Sequence, residues 1–114
     1  MLKCGVKGVI TMVQGTTPTF VLTLPSDVDL TDATNIYFTV TQVGQPNISV
    51  TKHGNDINIE GNQVSIFLSQ AETLQFCEGF VEVQLNWVYS TGERACTKVV
   101  RIKVEKNLLK RVIS

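Results

Sequence analysis

Two strand-length runs separated by one turn constrain this chain more than any other feature. Across residues 80–90, Val81, Val83, Leu85, Trp87 and Tyr89 fall on one side of an extended backbone, and Glu82, Gln84 and Asn86 on the other. Across residues 94–105, Cys96, Val100, Ile102 and Val104 alternate in the same way with Thr97, Arg101, Lys103 and Glu105. A side-chain period of two describes a strand with one buried face. Ser90-Thr91-Gly92-Glu93 folds the two runs into a long antiparallel hairpin. Pairing Tyr89 with Arg94 sets Trp87 against Cys96, Val83 against Val100, Val81 against Ile102 and Glu82 against Arg101. Apolar then meets apolar, and opposite charges meet. Lys98 opposite Leu85 is the misfit, a place for a snorkelling side chain or a bulge. In this register Cys96 is a buried, inert small hydrophobe beside Trp87.

Strand-like runs recur at 9–14, 19–24, 35–42, 47–52, 57–60 and 63–69, with Gly15, Pro25, Gly44, Gly54, Gly61 and Gly92 among the turn residues. Phe20, Leu22 and Leu24 share one face, as do Ile36, Phe38 and Val40, and Val64, Ile66 and Leu68. Two inward-facing sheets accommodate all of them, which favours a sandwich over a closed barrel. Ser69-Gln70-Ala71-Glu72 has capping-box spacing and predicts one short helical turn, with Leu74 and Phe76 closing an end of the core. Leu108, Leu109, Val112 and Ile113 recur at helical spacing, with Lys106, Lys110 and Arg111 among them. They predict a short amphipathic C-terminal helix, too short to be stable alone in water.

At 114 residues the chain is one domain, long enough to bury about two-thirds of its unfolded surface. Ten basic residues balance ten acidic ones, so no global field steers it to nucleic acid or to an anionic membrane. No apolar stretch is long enough to span a bilayer. Three cysteines at irregular spacing fit a reducing cytosol better than a secreted disulfide framework, with a Cys77–Cys96 bridge left open. The N-terminus lacks the apolar stretch and cleavage pattern of a signal peptide, so synthesis in the cytoplasm is the expectation. Lys7-Gly8-Val9 is encodable by a purine-rich ribosome-binding sequence at the right distance from Met12. The chain therefore divides into 1–11, an N-terminal arm or translated leader; 12–105, the sandwich; and 106–114, the amphipathic tail.

Candidates for chemistry are sparse. His53, the sole histidine, sits in a loop-like Lys52-His53-Gly54-Asn55 and reads as a solvated turn residue. The cysteines show no Cys-x-x-Cys metal spacing. Asp27, Asp29 and Asp32 alternate as calcium ligands do but lack the rest of an EF-hand loop. Glu72 has a capping role, Glu82 faces outward, and Glu78, Glu93 and Glu105 border turns or the chain end, which leaves no carboxylate pair for glycoside chemistry. Asn47-Ile48-Ser49 matches a glycosylation sequon by chance. No catalytic, cofactor-binding or metal residue is assigned; an enzyme, a cofactor and a small-molecule ligand are not expected.

Two stretches resemble a known family. Val28-Asp29-Leu30-Thr31-Asp32-Ala33-Thr34, followed by the strand from Ile36 to Val40, is similar to the "LTGAT" element of small phage tail domains. Its counterpart is the immunoglobulin-like N-terminal domain of phage baseplate upper proteins. Gln14-Gly15-Thr16-Thr17-Pro18-Thr19-Phe20 occupies the place of that family's opening Gly-Asp/Thr-Thr segment. Val64 to Thr73, then Gly79, Glu82-Val83-Gln84 and Gly92, resembles the layout of small phage and prophage proteins of gut Firmicutes. The resemblance covers residues 10–105 and rests on structural positions. The chain runs only a few residues further, whereas baseplate proteins continue into long receptor-binding or scaffold regions, and no site residue is carried over.

The resemblance implies an all-β, immunoglobulin-like antiparallel sandwich of about seven or eight strands, serving as a structural or accessory part of a virion tail or baseplate. Made in the cytoplasm of a bacterial host, it would associate with the virion through protein–protein contacts, as a homo-oligomer or with other virion proteins. The candidate interface residues are Phe67 and Val88, on otherwise polar faces, and Leu108, Leu109, Val112 and Ile113. The alternatives are a carbohydrate- or surface-binding module, which requires several exposed aromatics where Tyr37 is the only clear outward one, and an assembly chaperone or inhibitor that binds a single protein.

Overall fold

The computed structural model describes the backbone of residues 6–7 and all of residues 11–114; Cys4 and the first two positions of the 9–14 run lie outside them. The strands are β1 (Val6–Lys7), β2 (Thr11–Val13), β3 (Thr19–Thr23), β4 (Ala33–Gln42), β5 (Gln45–His53), β6 (Ile57–Glu60), β7 (Gln63–Phe67), β8 (Gly79–Tyr89), β9 (Arg94–Cys96) and β10 (Val100–Glu105). One sheet runs β1-β3-β7-β6. The other runs β2-β10-β8-β4-β5, with β9 also paired to β8. This is the strand order of an immunoglobulin-like sandwich, and the expected fold stands. One pairing departs from the antiparallel expectation: β2 lies parallel to β10, with Met12 opposite Val104. The first strands divide between the two sheets, so β2 enters beside the last strand instead of folding back as a hairpin.

Most inward residues named from sequence are buried: Phe20, Leu22, Leu24, Phe38, Val40, Val64, Ile66, Leu68, Val81, Val83, Leu85, Trp87, Ile102 and Val104, while Ile36, Tyr89 and Val100 are half-buried against this core. Phe20 and Phe38 meet across the sheets with ring centroids 5.6 Å apart. A single helical turn, α1 (Gln70–Thr73), follows β7. Its capping box is complete: the Ser69 hydroxyl accepts from Glu72 N–H, and the Glu72 carboxylate accepts from Ser69 N–H at 2.8 Å. Phe76 is buried beyond it.

The hairpin register holds in one half and fails in the other. Val83 faces Val100, Glu82 faces Arg101 and Val81 faces Ile102, as expected. Nearer the turn, Trp87 faces Ala95 and Asn86 faces Cys96, one residue out of step. The turn is tighter than a four-residue turn: Tyr89 N–H donates to Glu93 O and Gly92 N–H to Tyr89 O, with Gly92 at φ 93°. A residue in the left-handed region suits glycine and completes a three-residue loop. Between the two halves β8 runs from Asn86 to Val83 while its partner runs from Cys96 to Val100, one residue more. That is a β-bulge. It cancels the offset, and Ile102 and Val104 return to the core.

Two expectations change with it. Cys96 is exposed, not buried, because a one-residue slip moves a side chain to the opposite face. Thr97 turns inward in its place, 5% exposed. Its hydroxyl accepts from Leu85 N–H at 3.1 Å and its N–H donates to Leu85 O at 2.9 Å, so the bulge leaves Leu85 paired. Cys77 and Cys96 are both free thiols. Cys77 is held by Gln42, which is level with Val81, whereas Cys96 is level with Asn86. At about 3.3 Å per residue the strand separates them by roughly 15 Å, far beyond the ~4.4–6.8 Å between Cα atoms that a disulfide requires.

Thr97→Val should cost about 1–3 kcal/mol in denaturant unfolding by leaving Leu85 N–H unpartnered. In a Cys4→Ser, Cys77→Ser background, a thiol reagent should modify Cys96 in the folded chain. Labelling that waits on global unfolding would restore the buried assignment.

Candidate functional site

The tail carries most of the candidate interface, and it is not a helix. Residues 106–114 form no helix or strand, and Leu108, Leu109, Val112 and Ile113 are all exposed, Leu108 at 89%. The helical stripe fails because polar groups at other positions tie the segment down in an irregular path. Gln14, 6% exposed, is the anchor. Its Oε1 accepts from Asn107 N–H at 3.2 Å and from Lys110 Nζ at 2.9 Å, while its Nε2 donates to Phe76 O at 2.7 Å. Asn107 Nδ2 returns a bond to Gln14 O at 2.9 Å. At the far end the Gln70 amide of α1 clamps Ile113: Nε2 donates to Ile113 O and Oε1 accepts from Ile113 N–H, each at 2.8 Å.

The tail thus crosses from the β2–β10 edge to α1 on a polar latch and turns its apolar side chains to solvent. A hollow lined by Gly15, Thr16, Thr17, Gln70, Asn107 and Ile113 lies along it. Gly15 lets the backbone after β2 turn close against Leu74: its φ is 77°, and a Cβ there would stand 3.2 Å from Leu74 Cδ2. Phe67, 52% exposed, ends β7 three residues before Gln70, on the outer face of its sheet. Val88 is half-buried at the hairpin end of β8, whereas the tail departs from the Gly79 end, where Val104 pairs. The structure brings Phe67 and the tail to the α1 region and leaves Val88 apart.

Sequence reasoning missed the latch. Gln14 shares the inward parity of Met12, and Gln42 that of Phe38 and Val40. Gln42 Oε1 accepts from Cys77 N–H at 2.7 Å, and its Nε2 donates to Phe80 O at 3.0 Å. An amide on the buried face of a strand was the available signal.

α1 is also tied to β5. Lys52 Nζ lies 2.8 Å from Glu72 Oε2, with both side chains largely buried. Burial pushes the Glu72 carboxyl up, but the Lys52 hydrogen bond and charge and the Ser69 N–H together outweigh it and hold it below its ordinary value. Other titratable candidates are committed locally. Asp29 accepts from Thr31 N–H and hydroxyl, which hold its carboxyl low, and Asp32 accepts from the Ser90 hydroxyl at 2.8 Å. Among the described residues no three His, Cys, Asp or Glu side chains converge. His53, exposed at the end of β5, lies against Tyr37 with ring centroids 5.7 Å apart. Among the described residues no helix is long and apolar enough to cross a membrane. No protein-family model matches the chain, and no characterised protein is significantly similar to it.

Gln14→Leu leaves Phe76 O and Asn107 N–H unpartnered. It should cost about 2–3 kcal/mol and speed amide exchange at Asn107 and Ile113. A folded-state carboxyl held low contributes stability that is present above its unfolded pKa and lost as pH falls through the folded one. Glu72→Gln should therefore flatten the acid limb of the stability–pH curve; an unchanged limb would show the Lys52 pair to be energetically idle.

Proposed function

We propose that this protein is a non-enzymatic sandwich acting through protein–protein contacts, as a structural or accessory component of a phage or prophage virion, in the tail or baseplate. The observation that carries the contact reading is the latched tail. Four apolar side chains are held outward on a segment whose backbone is already fixed by Gln14, Asn107 and Gln70. Fully burying each is worth roughly 1.5–3 kcal/mol. Ordering a free segment costs about 1–2 kcal/mol per residue, and the latch reduces what a partner must supply. The virion assignment is supported by the resemblance of the 28–40 and 64–92 stretches to phage tail domains.

Light scattering on the full chain and on a form ending at Glu105 tests the contact reading. The full chain is expected to self-associate and the shortened form to be monomeric. A monomer in both, with equal thermal stability, overturns it. Genes flanking this one should encode tail, portal or tape-measure proteins; polysaccharide-utilisation neighbours would overturn the virion assignment.

A further inference from the structure

The sandwich gapes at one corner. β4 begins at Ala33, but β5 pairs with it only from Tyr37 onward, and β6 forms the edge of the other sheet. Ile59 shares the inward parity of Ile57. Ile57 is 7% exposed, yet Ile59 is 39% exposed. A hollow opens on either side of Ile59. The smaller, about 240 Å³, reaches the 33–37 stretch of β4 and His53. The larger, about 560 Å³, lies between the β3–β4 loop and the β6–β7 turn. Val28, Leu30 and Ile59 give it an apolar wall, and Ser26, Asp29, Thr31, Gly61 and Asn62 form its rim.

The charge around the larger hollow is of one sign. Asp29 lies on its rim, and Asp27 and Glu60, both exposed, adjoin lining residues in the chain. None of the three has an ion-pair partner among the described residues, and no described lysine or arginine lines either hollow. The latched tail has the opposite character. Leu108, Leu109, Val112 and Ile113 are exposed, and Lys106 and Arg111 form no ion pair among the described residues. The latch holds this tail away from the hollow of its own chain. Gln70 clamps Ile113 beyond one end of β7, while Gly61 and Asn62 precede the other end. The five residues of β7 span roughly 13 Å.

We infer that the hollow beside Ile59 receives the tail of a second copy, so that the domains associate head to tail. The inference rests on the contact reading of the tail and names the surface that the tail meets. Apolar tail side chains cover Val28, Leu30 and Ile59, as at the centre of a protein interface. Lys106 and Arg111 meet Asp27, Asp29 and Glu60, and complementary charge fixes the orientation. A symmetric tail-to-tail contact would instead bring like charges together and leave Ile59 uncovered. Two different patches make a heterologous contact, which closes into a ring or runs on as a filament.

Light scattering on full-length variants tests it. Ile59→Arg blocks the hollow and leaves the tail intact; Lys106→Glu with Arg111→Glu spoils the tail and leaves the hollow intact. Each variant alone should associate at least ~10-fold more weakly than the unaltered chain. Asp27→Lys with Glu60→Lys, which replaces no buried side chain, should repeat the effect of Ile59→Arg. An equimolar mixture of the Ile59→Arg chain and the tail variant should form a dimer and nothing larger, since one intact tail then meets one intact hollow. A mixture that stays monomeric, or hollow variants that associate as the unaltered chain does, overturns the inference while the contact reading stands. An unaltered chain that is itself monomeric removes the contact reading, and this inference with it.

Discussion

The register of β8 is the constraint on which the rest depends. It is the longest strand, and β4, β9 and β10 all pair with it. A slip of one residue exchanges every buried side chain for an exposed one. Val81, Val83, Leu85 and Trp87 face the core only while β4 and β10 keep step. The chain satisfies this with two irregularities of opposite effect: a tight turn that shifts β9 by one, and a bulge at Thr97 that shifts β10 back. Either alone would put Ile102 and Val104 in water. Thr97 makes the second one inexpensive, since its hydroxyl and N–H both serve Leu85.

The crossing from the first sheet to the second poses a different problem, because it runs through Phe76 and Cys77 with few regular backbone partners. Buried backbone polar groups left unpaired are costly. Two inward glutamines supply partners from opposite sides, Gln14 at Phe76 and Gln42 at Cys77 and Phe80. The same Gln14 accepts from Asn107 and Lys110, so the latch that fixes the tail also holds the crossing. Tail position and core closure are therefore coupled through one side chain.

What the sequence made legible follows from what repeats. Period-two alternation gave the strands, the inward residues and the sandwich, because burial on one face imposes that pattern locally. The capping box was legible because both partners lie within four residues. The hairpin offset was not, because a three-residue and a four-residue turn differ by one position that no apolar pattern resolves when a bulge later cancels it. The tail misled for a related reason. Leu108, Leu109, Val112 and Ile113 have helical spacing, but Gln14, 93 residues from Asn107 along the chain, and Gln70, 43 residues from Ile113, decide the path. Local periodicity carries no information about such partners, and the candidate site depended on them.

Sheet edges limit how copies of this sandwich can meet. An open edge invites strand pairing unless it is short, interrupted or guarded by charge. β6 is four residues and β2 is three. β5 is the long edge, and it carries Pro46, which has no N–H to offer, near its start. Lys52 lies opposite Phe38, so it occupies the inward side of that edge, where it pairs with Glu72 of α1. Extending the sheet past β5 would crowd this inward-facing charge and disturb the turn that leads into the core crossing. Edge-to-edge association is therefore discouraged on β5 by the same contact that anchors α1. Among the described residues, the latched tail and the outer sheet faces carry no such guard.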